Sequence, residues 1–289
     1  GGIFSSSGRA YIYSGLDHSL LKSMESLFPE SNGIFGADIG AIGDWDNDGL
    51  SEILVGVPFE NGGGEPEGGR AYVFSEPFGG PIHLFFPDSA VEDGNFGASI
   101  DTGYDLNGDG FNEVLIGARG EGITTPFRPG RAYVFDGMTR SLLHRIAPPD
   151  STEIIRFFGG SVSFIKDLNG DQVADILIGA QFSTVDSVGS AGKAFLYSGQ
   201  DGALIHTFKP KMPQQFGYFG ARVENVGDIN NDGVDDSGIS SREVTPQLSS
   251  RGIIYIFSGA TLDTLYTIRA PITAPTGDIV SAYCGIGDY

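Results

Sequence analysis

Four acidic segments recur at a nearly constant spacing along the 289-residue chain. The first begins DWDNDGLSE at Asp44, and related segments begin at Asp105, Asp167 and Asp228, after steps of 61, 62 and 61 residues. In each of these acidic loops, numbered one to four, positions 1, 3, 5 and 9 are Asp, Asn or Glu, whose side chains carry oxygen. Carboxylates this close repel one another, and a bound cation would offset the repulsion.

This pattern predicts one Ca²⁺ site in each loop, about four in all, with position 7 adding its backbone carbonyl. Ca²⁺ accepts irregular oxygen geometry, whereas Mg²⁺ demands a near-ideal octahedron. An EF-hand is excluded, because position 12 would have to be a bidentate Glu and is Val55, Ile116, Ile178 or Ile239. The alternative is that Asp, Asn and Gly only form turns here. The predicted ligands are Asp44, Asp46, Asp48, Leu50 and Glu52; Asp105, Asn107, Asp109, Phe111 and Glu113; Asp167, Asn169, Asp171, Val173 and Asp175; and Asp228, Asn230, Asp232, Val234 and Asp236.

The four loops differ in charge and in backbone freedom. Loop one carries four acids, whereas each of the others carries three and has Asn at position 3. Position 6 is Gly, which suits a turn with positive φ, except at Gln172 of loop three. We therefore expect backbone strain and weaker binding in loop three. The strand after loop four contains SGISS from Ser237, and we expect its unit to be the most loosely packed.

The same period organises the rest of the chain. Phe-Gly pairs begin at Phe35, Phe96, Phe158 and Phe219, and GRAYIYSG at Gly8 recurs in altered form in every later unit. Within the second unit, FGASIDTG, EVLIGA, RAYVF and LLHRIAP predict four strands joined by short turns. Repeated four-stranded units predict an all-β fold, a β-propeller with four complete blades and a composite or partial fifth.

The repeat also predicts the domain organisation, a single propeller domain over residues 1–289. The predicted divisions are partial blade strands at 1–28, complete blades at 35–88, 96–150, 158–212 and 219–271, and the first strand of a further blade at 279–289.

A Phe-Gly pair, an acidic loop and a Gly-Ala-Pro-like strand end characterise FG-GAP repeats, and the chain resembles the integrin α-subunit β-propeller in these features. The Gly-Ala-Pro-like strand end reads GVP at Gly56, GAR at Gly117 and GAQ at Gly179. The resemblance implies Ca²⁺ on the loop between the first two strands of a blade, and an adhesive or scaffolding role in a secreted or cell-surface protein. The chain has fewer units than the integrin propeller, so secreted FG-GAP proteins are the nearer comparison.

Composition excludes several classes of partner. The formal net charge is −20, which argues against a nucleic-acid partner, because phosphate contacts need Lys and Arg. No apolar run is long enough to span a membrane. Cys284 is the single cysteine, so no internal disulfide forms. The start at Gly1 without Met is expected of a processed or excised piece.

Repeated residues argue against an enzyme. His83, His144 and His206 share one register on the predicted fourth strands, with Lys22 and Tyr266 in the flanking units. Catalytic residues are normally unique, so this series predicts structural contacts. The series Arg9, Arg70, Arg131 and Lys193 is expected to pair with carboxylates or carbonyls. A carbohydrate-active lyase or hydrolase stays an alternative because acids abound, as does a structural subunit joined by strand exchange at its termini.

The variable segments predict where a partner binds. These rim loops begin FENGGGEPEGG at Phe59, RGEGITTPFRPG at Arg119, QFSTVDSVGSAG at Gln181 and SREVTPQLSS at Ser241. All four are predicted between the second and third strands, hence on one rim, and variable loops on a regular scaffold commonly carry binding. We expect them to contact a protein or glycan surface.

The termini predict a shared blade. GIGDY at Gly285 aligns with AIGDW at Ala41, so the C-terminus supplies a first strand and the N-terminus a third and fourth. Pairing within the chain would close the ring, and pairing between chains would produce self-association.

Overall fold

The computed structural model describes residues 7–75, 80–122, 128–149, 154–243 and 251–269. Within these ranges the chain forms eighteen strands and no helix. The strands build four sheets of four strands and one of two, all antiparallel, and each sheet is formed by consecutive strands. No helix in the described part of the chain is long and apolar enough to cross a bilayer.

Each sheet of four strands is one blade, and the two-stranded sheet is called the N-terminal hairpin. The strands are β1 (Ala10–Tyr13) and β2 (Leu20–Met24) in the hairpin; β3 (Ile39–Ala41), β4 (Ile53–Val57), β5 (Arg70–Phe74) and β6 (Pro81–Phe85) in the first blade; β7 (Phe96–Thr102), β8 (Val114–Ala118), β9 (Arg131–Phe135) and β10 (Leu142–Ile146) in the second; β11 (Phe158–Ile165), β12 (Asp175–Ala180), β13 (Lys193–Tyr197) and β14 (Leu204–Phe208) in the third; and β15 (Val223–Asn225), β16 (Ser237–Glu243), β17 (Arg251–Phe257) and β18 (Thr264–Arg269) in the fourth.

The second strand of each blade forms its centre. In the second blade, Ile116 on β8 pairs with Ile100 on β7 and with Tyr133 on β9. Every residue of β8 is buried, as its unbroken apolar sequence predicts for a strand covered on both faces. The first strands of successive blades lie beside one another, which is the arrangement of a β-propeller. The predicted fold class is confirmed.

Glycines let the backbone of one blade touch that of the next. A Cβ on Gly97, the glycine of the second Phe-Gly pair, would lie 2.3 Å from the carbonyl oxygen of Arg70 in the first blade. A Cβ on Gly56 would lie 2.2 Å from the oxygen of Gly97, and one on Gly69 would lie 2.1 Å from the oxygen of Phe96. These contacts explain the glycines of the repeat, because only hydrogen fits there. Equivalent glycines join the later blades, namely Gly117, Gly130 and Gly159, then Gly179, Gly192 and Gly220.

Aromatic side chains fill the space between blades. Phe96 is fully buried, with its ring centroid 5.5 Å from that of Tyr133 and 6.1 Å from that of Phe135. Phe135 in turn lies 4.7 Å from Phe85, which ends the last strand of the preceding blade. Burying each such ring contributes about 1.5–3 kcal/mol. The Phe of the Phe-Gly pair therefore anchors its blade at the interface with the previous one.

The fourth blade corrects one prediction. The sequence predicts SREVTPQLSS wholly in a loop, but Ser241, Arg242 and Glu243 continue β16 and pair with Ile253, Gly252 and Arg251. SGISS therefore belongs to an uninterrupted seven-residue strand. Ser240 takes the position that Gly56 has in the first blade. The predicted strand at 279–289 and Cys284 lie outside the described residues, and so does any pairing of that strand with the N-terminal hairpin.

Candidate metal centres

The acidic loops join the first and second strands of each blade, and Asp at position 1 fixes their shape. In loop one, Asp44 Oδ1 accepts a hydrogen bond from the backbone N–H of Asp48 (3.0 Å), and Oδ2 accepts one from Gly49 (2.9 Å). Asp48 Oδ1 then accepts the N–H of Leu50 at 2.8 Å. The same three bonds recur in the other loops, from Asp105, Asp167 and Asp228 onward.

Two positions of every loop adopt positive φ. Position 6 has φ near +91° at Gly49, Gly110 and Gly233, and Gln172 is held at +70° in loop three. The strain predicted for Gln172 is therefore present in its backbone. Position 4 also has positive φ, at Asn47, Gly108, Gly170 and Asn231. Sequence reasoning missed position 4, although its restriction to Asn and Gly was the available signal.

Position 9 places a buried carboxyl group beneath each loop. Glu52, Glu113, Asp175 and Asp236 have no exposed surface. Each accepts a hydrogen bond from the N–H at position 2, for example 2.8 Å from Leu168 to Asp175 and 3.0 Å from Ile229 to Asp236.

Burial raises the pKa of three of these carboxyl groups. Desolvation raises the pKa of Glu113 and of Asp175 to about 7, and it also raises the pKa of Glu52. Nearby loop carboxylates add to each shift. Glu52 Oε1 is buried and has no hydrogen-bond partner in the described part of the chain. A cation beside it would supply the interaction that water supplies to an exposed carboxylate.

The loops differ in how closely their acids converge. In loop one, oxygen atoms of Asp44, Asp46, Asp48 and Glu52 all lie within 4.8 Å of one another, and in loop two those of Asp105, Asp109 and Glu113 do so. Within the described ranges, loops three and four do not bring three carboxylates this close. The donor set in loop one is all oxygen and fits a hard cation such as Ca²⁺.

Position 3 distinguishes loop one from the other three loops. Asp46 Oδ1 accepts the N–H of Asp48, while its Oδ2 accepts the hydroxyl of Ser75 at 2.8 Å. In loop three, Asn169 Oδ1 accepts the N–H of Asp171 (2.8 Å), but its Nδ2 donates to Asp171 Oδ2 (2.9 Å). Asn230 is arranged in the same way. Asn107 Oδ1 likewise accepts the N–H of Asp109, but its Nδ2 donates to Asp136 Oδ2 (2.8 Å) and to Glu113 Oε1 (3.1 Å). Asp at position 3 therefore offers a second oxygen where Asn offers a donor.

Two members of the histidine register, His144 and Lys22, make contacts between sheets. His83, His144 and His206 lie on β6, β10 and β14, each paired with a residue of the preceding strand. His144 Nε2 is 2.9 Å from the carbonyl oxygen of Gly199 in the next blade. Lys22, in the same register, donates to the carbonyl of Ser75 at 2.9 Å. These contacts are structural, as predicted.

The arginine register pairs with carboxylates. Arg9 lies 2.8 Å from Glu25, whereas Arg70 lies 3.9 Å from the buried Glu60 and Arg131 lies 3.9 Å from the buried Glu121. The predicted pairing is confirmed for these three arginines.

Sequence reasoning missed Glu60 and Glu121, the carboxylate partners in the rim loops. Glu60 Oε2 accepts the hydroxyl of Tyr72 at 2.8 Å, and Glu121 Oε2 accepts that of Tyr133. Burial raises the pKa of Glu121 to about 7. The two glutamates are one repeat apart in sequence, and that spacing was the available signal.

Comparison with known proteins identifies the same repeat in this chain. The FG-GAP repeat family model matches residues 96–135 and 158–197. Integrin alpha-5 of Xenopus laevis is 32% identical over 152 residues, which cover 50% of this chain and 14% of that protein. Integrin alpha-4 of Xenopus laevis is 30% identical over 183 residues (61% and 17%), and human integrin alpha-11 is 32% identical over 157 residues (50% and 12%). The chain thus spans less than a fifth of the length of these relatives.

Proposed function

The chain is an FG-GAP repeat protein that resembles the β-propeller of integrin α subunits, and from this premise we propose that it is a calcium-binding adhesion or interaction module. It binds Ca²⁺ at the four acidic loops and contacts a protein or glycan surface through its rim loops. It works outside the cell, secreted or at a surface, and it performs no catalysis. No nucleic acid or membrane span takes part.

The observation that carries this proposal is the convergence of four carboxylates in loop one within 4.8 Å. In the same loop, Glu52 Oε1 is buried and has no hydrogen-bond partner in the described part of the chain, so a bound cation would stabilise it as well. Together the ligand acids of the four loops supply 13 of the 37 acidic residues. Loop one, with the most charge and the closest convergence, is the strongest site.

An extracellular location fits Ca²⁺ sites whose ligands are exposed to solvent. Ca²⁺ sites of extracellular modules have Kd values of about 10⁻⁴–10⁻³ M. Exposed ligands such as those at positions 1, 3 and 5 of loop one are typical of sites that remain open to solvent. Such sites fill at extracellular Ca²⁺ concentrations and stay largely empty in the cytosol.

Titration calorimetry of chelator-treated protein with Ca²⁺ tests the metal sites. We expect up to four ions per chain, with the tightest site removed by the Asp44→Asn substitution. The matched control is Asp17→Asn, an exposed acid of the N-terminal hairpin outside every acidic loop. Equal titrations for the protein and its Asp44→Asn variant would contradict the assignment of loop one.

Replacement of the rim loops tests the interaction surface. In the described part, these segments leave the sheet after β4, β8 and β12 and return at β5, β9 and β13. Exchanging residues 186–190 of the third rim loop, none of which is buried, for a short Gly-Ser linker should weaken binding of a partner and leave the Ca²⁺ titration unchanged. If exchange of each rim loop in turn leaves partner binding intact, another surface makes the contact.

A further inference from the structure

Four asparagines of the chain directly precede a glycine, and two of these Asn-Gly pairs occupy positions 3 and 4 of acidic loops. The four are Asn32, Asn61, Asn107 and Asn169. Asparagine before glycine deamidates readily, because a residue without Cβ lets its backbone nitrogen approach the preceding side chain. All four asparagines are exposed. Access to water therefore does not distinguish them, whereas their hydrogen bonds do.

In loop two, hydrogen bonds hold both reacting groups of the Asn-Gly pair. The N–H of Gly108 donates to Asp105 Oδ1 at 2.7 Å. Asn107 Oδ1 accepts the N–H of Asp109 at 2.9 Å, and Asn107 Nδ2 donates to the buried Glu113 at 3.1 Å. Attack of the glycine nitrogen on the asparagine amide carbon requires these bonds to break. The folded loop therefore opposes deamidation.

Loop three holds its Asn-Gly pair with the same set of bonds. The N–H of Gly170 donates to Asp167 Oδ1 at 2.6 Å. Asn169 Oδ1 accepts the N–H of Asp171 at 2.8 Å. The bond from Asn169 Nδ2 to the buried carboxyl group of position 9 is longer than in loop two, at 3.3 Å. Because this loop also contains the strained position 6, we expect it to open more readily than loop two.

The other two Asn-Gly pairs lie outside the acidic loops and are held less. Asn61 Oδ1 accepts the N–H of Glu67 at 3.3 Å, and its Nδ2 donates to no described residue. The side chain of Asn32 makes no hydrogen bond within the described ranges. These two asparagines are therefore internal references for deamidation that does not depend on an acidic loop.

We propose that Asn107 and Asn169 are deamidation sites controlled by Ca²⁺. In an empty loop the crowded carboxylates repel one another, so the bond from the glycine N–H to position 1 opens. The backbone nitrogen of Gly108 or Gly170 then forms a bond to the asparagine Cγ. The Cγ–Nδ2 bond breaks and releases ammonia, which carries away the glycine amide proton. Water then opens the cyclic imide to aspartate or isoaspartate. This inference rests on the proposed binding of Ca²⁺.

Either product changes the loop permanently. Aspartate at position 3 gives the loop the four acids of loop one. Isoaspartate inserts a methylene group into the main chain and displaces the ligand at position 3. Loops one and four contain no Asn-Gly pair and are spared. A period without Ca²⁺ would thus leave a lasting chemical record in loops two and three.

Peptide mapping by mass spectrometry tests the proposal at all four pairs. The protein is incubated at mildly alkaline pH in millimolar Ca²⁺ or in excess chelator. At free Ca²⁺ tenfold above Kd only about a tenth of the sites are empty, so Asn107 and Asn169 should react about tenfold more slowly than in chelator. Asn169 should react before Asn107 in chelator. Asn32 and Asn61 should react at the same rate in both solutions.

Two variants separate the opening of one loop from unfolding of the chain. In saturating Ca²⁺, Asp105→Asn should accelerate deamidation at Asn107 alone, and Asp167→Asn should accelerate it at Asn169 alone. Each variant is thus the control for the other. Asp17→Asn, an exposed acid outside every acidic loop, is the matched change of charge and should alter neither rate.

Equal rates at Asn107 and Asn169 in Ca²⁺ and in chelator would overturn the proposal. So would Asp105→Asn and Asp167→Asn variants that react no faster in saturating Ca²⁺. If chelator unfolds the chain and all four pairs react alike, the two variants decide between these results. If calorimetry shows bound Ca²⁺ but neither rate responds to it, this inference alone fails. If no Ca²⁺ binds, the proposed function fails as well.

Discussion

Gly56 lies against Gly97 so closely that a Cβ on Gly56 would stand 2.2 Å from the Gly97 carbonyl oxygen. The second strand of one blade thus touches the Phe-Gly turn of the next through backbone atoms alone. This contact recurs between the second and third blades, where Gly117 faces Gly159, and between the third and fourth, where Gly179 faces Gly220. It gives the glycines of the repeat a physical role in holding blades together.

Gly117→Ala should therefore destabilise the propeller. The new methyl group would lie 2.0 Å from the Gly159 oxygen, and the backbone would have to move. Over-packing of this kind costs about 1–3 kcal/mol. Gly189→Ala is the control, because a Cβ there meets no atom within 4 Å. Urea unfolding measures both variants, and equal midpoints would show that the contact between blades contributes nothing.

Gln172→Gly should stabilise loop three. Gln172 has φ +70°, whereas glycine occupies the same position in the other loops. Relief of this left-handed conformation is worth about 1 kcal/mol. The control is Gln200→Gly, in a hairpin turn without positive φ, which should gain nothing. Thermal unfolding in saturating Ca²⁺ checks the pair, and an unchanged or lower Tm for Gln172→Gly would contradict the strain argument.

Asp46→Asn should make loop one resemble the other loops. The substitution replaces the second oxygen of position 3 by a donor and removes one charge, so we expect about tenfold weaker Ca²⁺ binding. Asn107→Asp is the reciprocal change and should strengthen loop two. Calorimetric titration of both variants measures the effect. Affinities that do not move in opposite directions would contradict the role assigned to position 3.

Much of the fold follows from local pattern. The apolar run from Val114 to Ala118 and the Phe-Gly pair at Phe96 are readable in sequence because strand burial and turn chemistry are local properties. The extension of β16 through Glu243 cannot be read from the sequence in this way. It depends on the pairing of Glu243 with Arg251, and the length of the connection between them does not determine the register.

The candidate sites were predicted less completely than the fold. Ligand types and spacing located all four acidic loops. Within the described residues, carboxylates converge only in loops one and two, although loops two, three and four all have Asn at position 3, so ligand types and spacing do not determine which loops converge. The burial of Glu60 and Glu121 depends on a preceding blade that local sequence does not show.

Glu121→Gln should change how stability depends on pH. Burial raises the pKa of Glu121 from 4.5 to about 7, so the folded state holds a proton that the unfolded state releases. The protonated Glu121 carboxyl group therefore contributes to the free energy of unfolding in full below about pH 4.5. This contribution is lost as the pH rises through about 7, by up to about 1.4 kcal/mol per pH unit. The variant should show a shallower decline than the unsubstituted protein in urea unfolding from pH 5 to 8, because Glu113 and Asp175 keep their own raised pKa values. Glu65→Gln, an exposed acid of a rim loop, is the control, and a wild-type-like decline in Glu121→Gln would contradict the prediction.

Deletion of residues 1–28 should destabilise the first blade. Ala10 and Met24 of the N-terminal hairpin pack with Phe35, Val55 and Tyr72 in one buried cluster. Loss of the hairpin exposes this cluster, so we expect a lower Tm and aggregation. Light scattering and thermal unfolding check both, and a monomer of unchanged stability would show that the hairpin plays no part in the fold or in self-association.

The dependence of thermal unfolding on Ca²⁺ tests the central claim most directly. At a free Ca²⁺ concentration tenfold above Kd, each site adds about 1.4 kcal/mol, and four sites add about 6 kcal/mol. The melting temperature should therefore rise by many degrees between excess chelator and millimolar Ca²⁺, and less in the Asp44→Asn variant. A melting temperature that is the same in chelator and in Ca²⁺ would contradict a calcium-stabilised propeller.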